Sequence, residues 1–177
     1  MTKKTSVSIA AAGAKAPSSV RPATPLFADA PLTDRFGFLI RRLHQIHVAL
    51  FQKRCAAFDV TPLQYSLLSA LARRGTADQT TLAADVVLDR TTTTGALKRL
   101  QSRKFIERSI HHRDRRAQIC RLTNAGAALL RQMETSARAA HRETVADLSK
   151  AEQKRFIAMM QRIVAANSDD TEATAAG

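Results

Sequence analysis

The 177-residue chain carries two cysteines, Cys55 and Cys120. That is too few for a disulfide framework, and a reducing cytoplasm is the expected compartment. No apolar run approaches the ~20 residues of a membrane-spanning helix, so no membrane partner is expected. The stretch VSIAAAGA behind Lys3 and Lys4 is short and weakly apolar, and Lys15 interrupts its continuation before a cleavage site, unlike a secretory signal. The six glycines form no phosphate-cradling loop. Paired catalytic carboxylates and a nucleophile–base set are also missing, which argues against an enzyme and implies no cofactor. No Cys/His cluster has metal-ligand spacing, although His44 and His47 lie three apart, so no metal site is assigned. Acidic residues are scarce as well: 15 Asp+Glu face 28 Lys+Arg, giving +13 and a pI of about 11.0. Such an excess points to nucleic acid as the partner, with an anionic membrane surface as the competing reading.

The apolar content, 45%, is sufficient for one core. Residues 1–31 are rich in Ala, Ser, Thr and Pro and read as a disordered tail; residues 168–177 read as a second, acidic one. From Thr33, taken as an N-cap, Phe36, Leu39, Ile40, Leu43, Ile46, Leu50 and Phe51 recur at helical spacing, and residues 32–58 form a first helix. In TPLQYSLLSALARRG, Thr61, Pro62 and Gln64 start a second helix with a capping box and Gly75 stops it. DQTTLAADVVL is a short third helix and DRTTTTGALKRLQSRK, capped by Asp89, a fourth. FIERSI and AQICRL then change period and make an antiparallel hairpin across HHRDRR. Two further helices start at Thr123 and at the Ser149–Glu152 capping box and occupy residues 123–167. The chain is therefore mainly α with a small β-hairpin wing, and residues 59–122 form a winged helix-turn-helix lobe.

The charge concentrates where that lobe would meet DNA. Lys98, Arg99, Arg103, Lys104, Arg108, Arg113, Arg115, Arg116 and Arg121 face only Glu107 and Asp114, a local +7. In the fourth helix Ala96, Leu97 and Leu100 suit a core, while Thr91, Thr94, Gly95 and Lys98 share the opposite face. Hydroxyls there can bond base edges or phosphates, Arg90 can read guanine, and the helix N-terminus attracts phosphate. Threonines are poor helix formers, so a run of four in a helix calls for a reason other than helix stability; a solvent-facing polar helix is the bland reading. At the hairpin tip, Arg113, Arg115 and Arg116 have the reach and charge for an adjacent minor groove. Asp114 suits an ion pair with Arg116 or a nearby arginine that holds the tip in shape. A merely solvated charged turn is the alternative.

VTPLQYSLLSAL, LAADVVLDRTTTTGALKRL, FIERS and RDRRAQICRLTNAG resemble, in order and spacing, the MarR (multiple antibiotic resistance regulator) family from about residue 37 to 130. The resemblance implies a homodimeric transcription factor, usually a repressor, on a pseudo-palindromic double-stranded operator. The first helix and the last two would form a helical dimerisation region. By the same resemblance the recognition helix falls on Arg90–Lys98, where Arg90, Thr91, Thr92, Thr94, Gly95 and Lys98 are the DNA-contact candidates, and the family's wing Asp-x-Arg falls on Asp114 and Arg116, beside which Arg113 and Arg115 are candidates by charge. Two departures stand out. Gly95 replaces a frequent arginine, and Lys104 replaces a glycine that commonly ends the recognition helix, at a cost of about 1 kcal/mol if held at positive φ.

The resemblance further implies a small aromatic acid as effector, of benzoate, cinnamate or pyridine-carboxylate type. Phe38, Arg42, His44, His47 and Tyr65 offer a cation, imidazoles and aromatics suited to an aryl carboxylate; exposed Arg42 and His44 with core Phe38 and Tyr65 is the competing reading. Oxidation sensing at Cys55, whose neighbours Lys53 and Arg54 favour a thiolate, and metal sensing by histidines are alternative switches. A non-specific architectural nucleic-acid binder is another alternative.

Overall fold

The computed structural model describes residues 31–110 and 118–167. The expected tails, apart from Pro31, and the wing-tip residues Arg113, Asp114, Arg115 and Arg116 lie outside them. The chain divides into two units, residues 1–40 and 41–177. In the first, a 3-10 turn at Leu32–Asp34 precedes the opening of helix α1, Phe36–Arg54. Thr33 is not the helix N-cap that the sequence suggests. It lies inside that turn, where its hydroxyl donates to Asp34 Oδ1. Phe36, Leu39 and Ile40 are exposed.

In the second unit α1 ends at Arg54, short of the expected residue 58. The chain tightens into a 3-10 turn at Ala56–Phe58 and turns at Asp59, φ 50°. Helix α2, Pro62–Arg74, begins as its sequence dictates: Thr61 Oγ1 accepts from Gln64 N, and Gln64 Oε1 accepts from Thr61 N. Gly75, at φ 78°, ends it by donating to Leu71 O. That turn directs Thr76–Asp78 into a strand, β1, which the sequence reading missed. Helix α3 (Gln79–Val86) and helix α4 (Arg90–Ser102) follow, capped by Asp78 and Asp89.

Strands β2 (Ile106–Ile110) and β3 (Gln118–Leu122) form the hairpin, and β1 adds to its other edge. The result is an antiparallel sheet in the order β1-β3-β2 rather than a bare hairpin. Cys120 pairs with Ala77 on one side and Arg108 on the other. Helix α5, Asn124–Thr144, is capped by Thr123, whose hydroxyl also donates to Lys104 O. It stops four residues before the sequence suggests, because residues 145–148 close a turn that Gln153 Nε2 braces through Val145 O and Leu148 O. Helix α6, Lys150–Ala166, opens on the Ser149–Glu152 capping box.

Two apolar clusters hold this unit together. Leu67, Leu68 and Leu71 of α2 meet Leu82, Ala96, Leu97, Leu100, Ile106 and Cys120. Each fully buried leucine contributes about 1.5–3 kcal/mol. Phe51, Cys55 and Val60 meet Met133, Ala137 and Ala140 of α5, with Tyr65 against them. Outside the apolar core, Arg74 Nε and Nη2 hold Asp85 at 2.5 and 2.6 Å, clasping α2 to α3 and keeping the Asp85 carboxyl below the usual carboxylate range. The first cluster fixes α4 against α2 and α3, and with it the surface described next.

Candidate nucleic-acid interface

The four threonines of α4 do not share one environment. Thr93 is fully buried, in line with Ala96, Leu97 and Leu100 at intervals of three, four and seven. Its hydroxyl has no hydrogen-bond partner. Thr91 and Thr92 are exposed, as are Arg90 and Lys98; Thr94 and Gly95 are half-buried. The buried stripe therefore orients α4 and leaves the first turn and Lys98 on the surface.

Local hydrogen bonding sets what this surface can offer. Asp89 Oδ1 accepts from Thr92 N at 2.8 Å, and the hydrogen bonds from Thr92 hold its carboxyl below the ordinary range. A carboxylate fixed at this end competes with an incoming anion for the N–H groups of the first turn. Thr94 donates its hydroxyl to Arg90 O at 2.6 Å and accepts from Gln79 Nε2, so that hydroxyl is engaged within the protein. The groups left for a base edge are the Arg90 guanidinium and the Thr91 hydroxyl. A Cβ at Gly95 would meet nothing nearer than Arg99 Nη1 at 3.9 Å, so packing does not require glycine there.

Part of the basic cluster is neutralised. Arg103 reaches Phe58 O and Asp59 and lies over the Phe105 ring, 4.8 Å from its centroid. Arg121 pairs with Glu107 across the hairpin. Arg108 sits beside the buried Cys120, its Nε and Nη2 shielded from solvent. Lys98 and Arg99, on the solvent side of α4, are exposed. Lys104 has φ 60°, the strained conformation its sequence position implies, and Val87 carries a second strained backbone, φ 52°, in the turn between α3 and α4.

The effector residues spread over both units. Phe38 is half-buried in the first. In the second, Arg42 and His44 are exposed, and His47 and Tyr65 are half-buried. His47 stacks on His141 and bonds Thr144, and Tyr65 packs against Phe51. His141 and Thr144 escaped the sequence reading because nothing local links them to a helix nearly a hundred residues earlier. Burial pushes the Cys55 thiol up, and Arg54 is engaged by Glu143, which overturns the idea of a thiolate favoured by basic neighbours. Among the described residues no group of three His, Cys, Asp or Glu side chains is placed to hold a metal ion, and no helix is long and apolar enough to cross a membrane.

The sequence pattern of the MarR family matches residues 60–117. Over 133 residues the chain is 30% identical to the HTH-type transcriptional repressor NicR of Pseudomonas putida, a match covering 75% of this chain and 84% of NicR. The chain belongs to the MarR family. As a MarR-family protein it is a DNA-binding regulator of transcription and not an enzyme. Solved MarR-like structures agree. A probable transcriptional regulator from Pseudomonas aeruginosa superposes with a TM-score of 0.72 at 32% identity, over 75% of this chain and 99% of that one. Bordetella bronchiseptica BpsR, whose DNA binding is regulated by 6-hydroxynicotinic acid, gives 0.73 at 28% identity, over 77% and 97%.

Proposed function

We propose that this MarR-family chain is a homodimeric repressor that binds a pseudo-palindromic operator and is released by a small aromatic acid. The observation that carries the reading is α4: a core stripe of Thr93, Ala96, Leu97 and Leu100 holds it fast while Arg90, Thr91, Thr92 and Lys98 stay on the surface. A short, rigid helix with exposed cationic and hydroxyl groups suits a major groove. In this proposal Arg113, Arg115 and Arg116 of the wing engage the neighbouring minor groove, and Asp114 pairs with an arginine to shape the tip.

Dimerisation is supported by α6, none of whose residues is buried. Its exposed Ile157, Met159, Met160 and Ile163 lie at helical spacing. So large an apolar surface on a soluble helix favours a partner, and a second copy of the chain supplies matching surface. The effector class is supported by BpsR, whose regulator is a hydroxylated pyridine carboxylate. Arg42, His44, His47 and Tyr65 are the residues proposed to meet an acid of that chemistry, Arg42 taking the carboxylate.

The test is a titration of the full-length chain against a duplex it enriches from a random pool, with and without 6-hydroxynicotinate, benzoate or cinnamate. Tight binding by a dimer, release by one of the acids, and loss of that release in Arg42→Ala are the expected results. Equal affinity for a scrambled duplex at fixed salt overturns sequence-specific reading. Indifference to every acid overturns the effector class.

A further inference from the structure

Gln79, the first residue of α3, is half-buried and reaches across to α4. Its Nε2 donates to Thr94 Oγ1 and, at 3.4 Å, to Arg90 O. The direction of these bonds is fixed. Arg90 O can only accept, and the single Thr94 hydroxyl proton already lies on Arg90 O at 2.6 Å. Thr94 Oγ1 therefore meets Gln79 as an acceptor, and the amide nitrogen, not the oxygen, faces α4. The amide's acceptor, Oε1, takes no part in these two contacts.

We propose that Gln79 is a specificity-determining residue of the DNA-reading surface. Its amide is clamped by Thr94 and Arg90 O so that Oε1 accepts from the exocyclic amine of adenine or cytosine in the major groove. This rests on α4 being the DNA-reading helix. Adenine N6 and cytosine N4 are the major-groove amines, whereas guanine and thymine present acceptors that a carbonyl oxygen repels. The clamp supplies what a lone surface glutamine lacks, a fixed amide orientation, so less rotamer freedom is lost on binding. It also assigns Thr94 a role the threonine pattern alone does not suggest: it holds the reader and does not read.

The experiment selects duplexes from a random pool with the full-length wild-type chain and measures affinity for the enriched and a scrambled duplex at fixed salt. Gln79→Ala is expected to weaken the enriched duplex about tenfold, to leave the scrambled duplex unchanged, and to relax the preference at one base-pair position per half-site. Thr94→Val is expected to relax the same position, and the double variant to be no worse than the worse single one. Gln79→Glu is expected to lose the position too, because a carboxylate cannot donate to Thr94 Oγ1. Unchanged selection by Gln79→Ala, or equal weakening of both duplexes, overturns the proposal. Arg90→Ala separates the two readings. If it abolishes selection while Gln79→Ala keeps every position, only the role of Gln79 fails; if it changes neither duplex, the assignment of α4 fails with it.

Discussion

The imidazoles of His47 and His141 stack across α1 and α5 with ring centroids 4.9 Å apart and planes 20° from parallel. Thr144 donates its hydroxyl to Ala140 O at 2.8 Å, so His47 Nδ1, 2.9 Å from Thr144 Oγ1, is the donor to that hydroxyl oxygen. Burial, then the charges of His141 and His44, hold the His47 pKa below its ordinary 6.5. A depressed histidine pKa means that the unfolded chain takes up the proton first. Stability is therefore full above pH 6.5 and falls as the pH drops from there toward the lowered native value. Melting temperature measured from pH 7.5 to 5.5 should fall for the wild type, and fall less steeply for His47→Gln; parallel curves would show that another group carries the effect.

Gly126 allows the start of α5 to lie against the chain that enters the wing. A Cβ at this position would stand 2.0 Å from Phe105 O and 2.9 Å from Phe105 C, both backbone atoms that no rotamer change can move. Gly126→Ala should cost about 3 kcal/mol or more in urea unfolding. A cost below ~1 kcal/mol would mean that the two backbones are not in this contact.

Thr93 carries a buried hydroxyl without a partner. Thr93→Val keeps the shape and removes the unsatisfied oxygen, so it should stabilise the protein by about 1 kcal/mol. Operator affinity should be unchanged, since the side chain faces the core.

Val87 is 72% exposed and β-branched, yet it adopts φ 52° in the turn before α4. The conformation costs about 1–2 kcal/mol for such a residue. Val87→Asn, which tolerates this backbone, should raise the unfolding free energy by about 1 kcal/mol; a loss would show that the apolar side chain is held by contacts worth more than the strain.

Lys98 is expected to meet phosphate and Arg90 a base edge. Lys98→Ala should weaken all duplexes alike and lower the salt-dependence slope by about 1, whereas Arg90→Ala should cost about 1–3 kcal/mol on the enriched sequence. The pattern is read from binding isotherms at several salt concentrations.

Much of the fold and the outline of the α4 surface were legible because the decisive groups sit within four residues of one another. The Thr61–Gln64 and Ser149–Glu152 boxes, the Asp89 and Thr123 caps and the Gly75 stop are all closed by such local bonds, and each is found as its sequence implies. Ala96, Leu97 and Leu100 announced the buried side of α4 by period alone. The strand β1 was not legible: three residues hold too little pattern to be told from a loop until β3 lies beside them. Gln79 gave no signal either, since its partners stand eleven and fifteen residues away on another helix.

The sequence by itself determined the order of the helices, most of their caps and the excess of positive charge, because these follow from local hydrogen bonding, periodicity and composition. Only the tertiary structure decided which threonine is core and which is tied to Gln79, which arginines are neutralised, and that His47 meets His141. Those outcomes depend on partners brought together across 14 to 94 residues. Packing of the whole unit, not any local preference, selects such pairs.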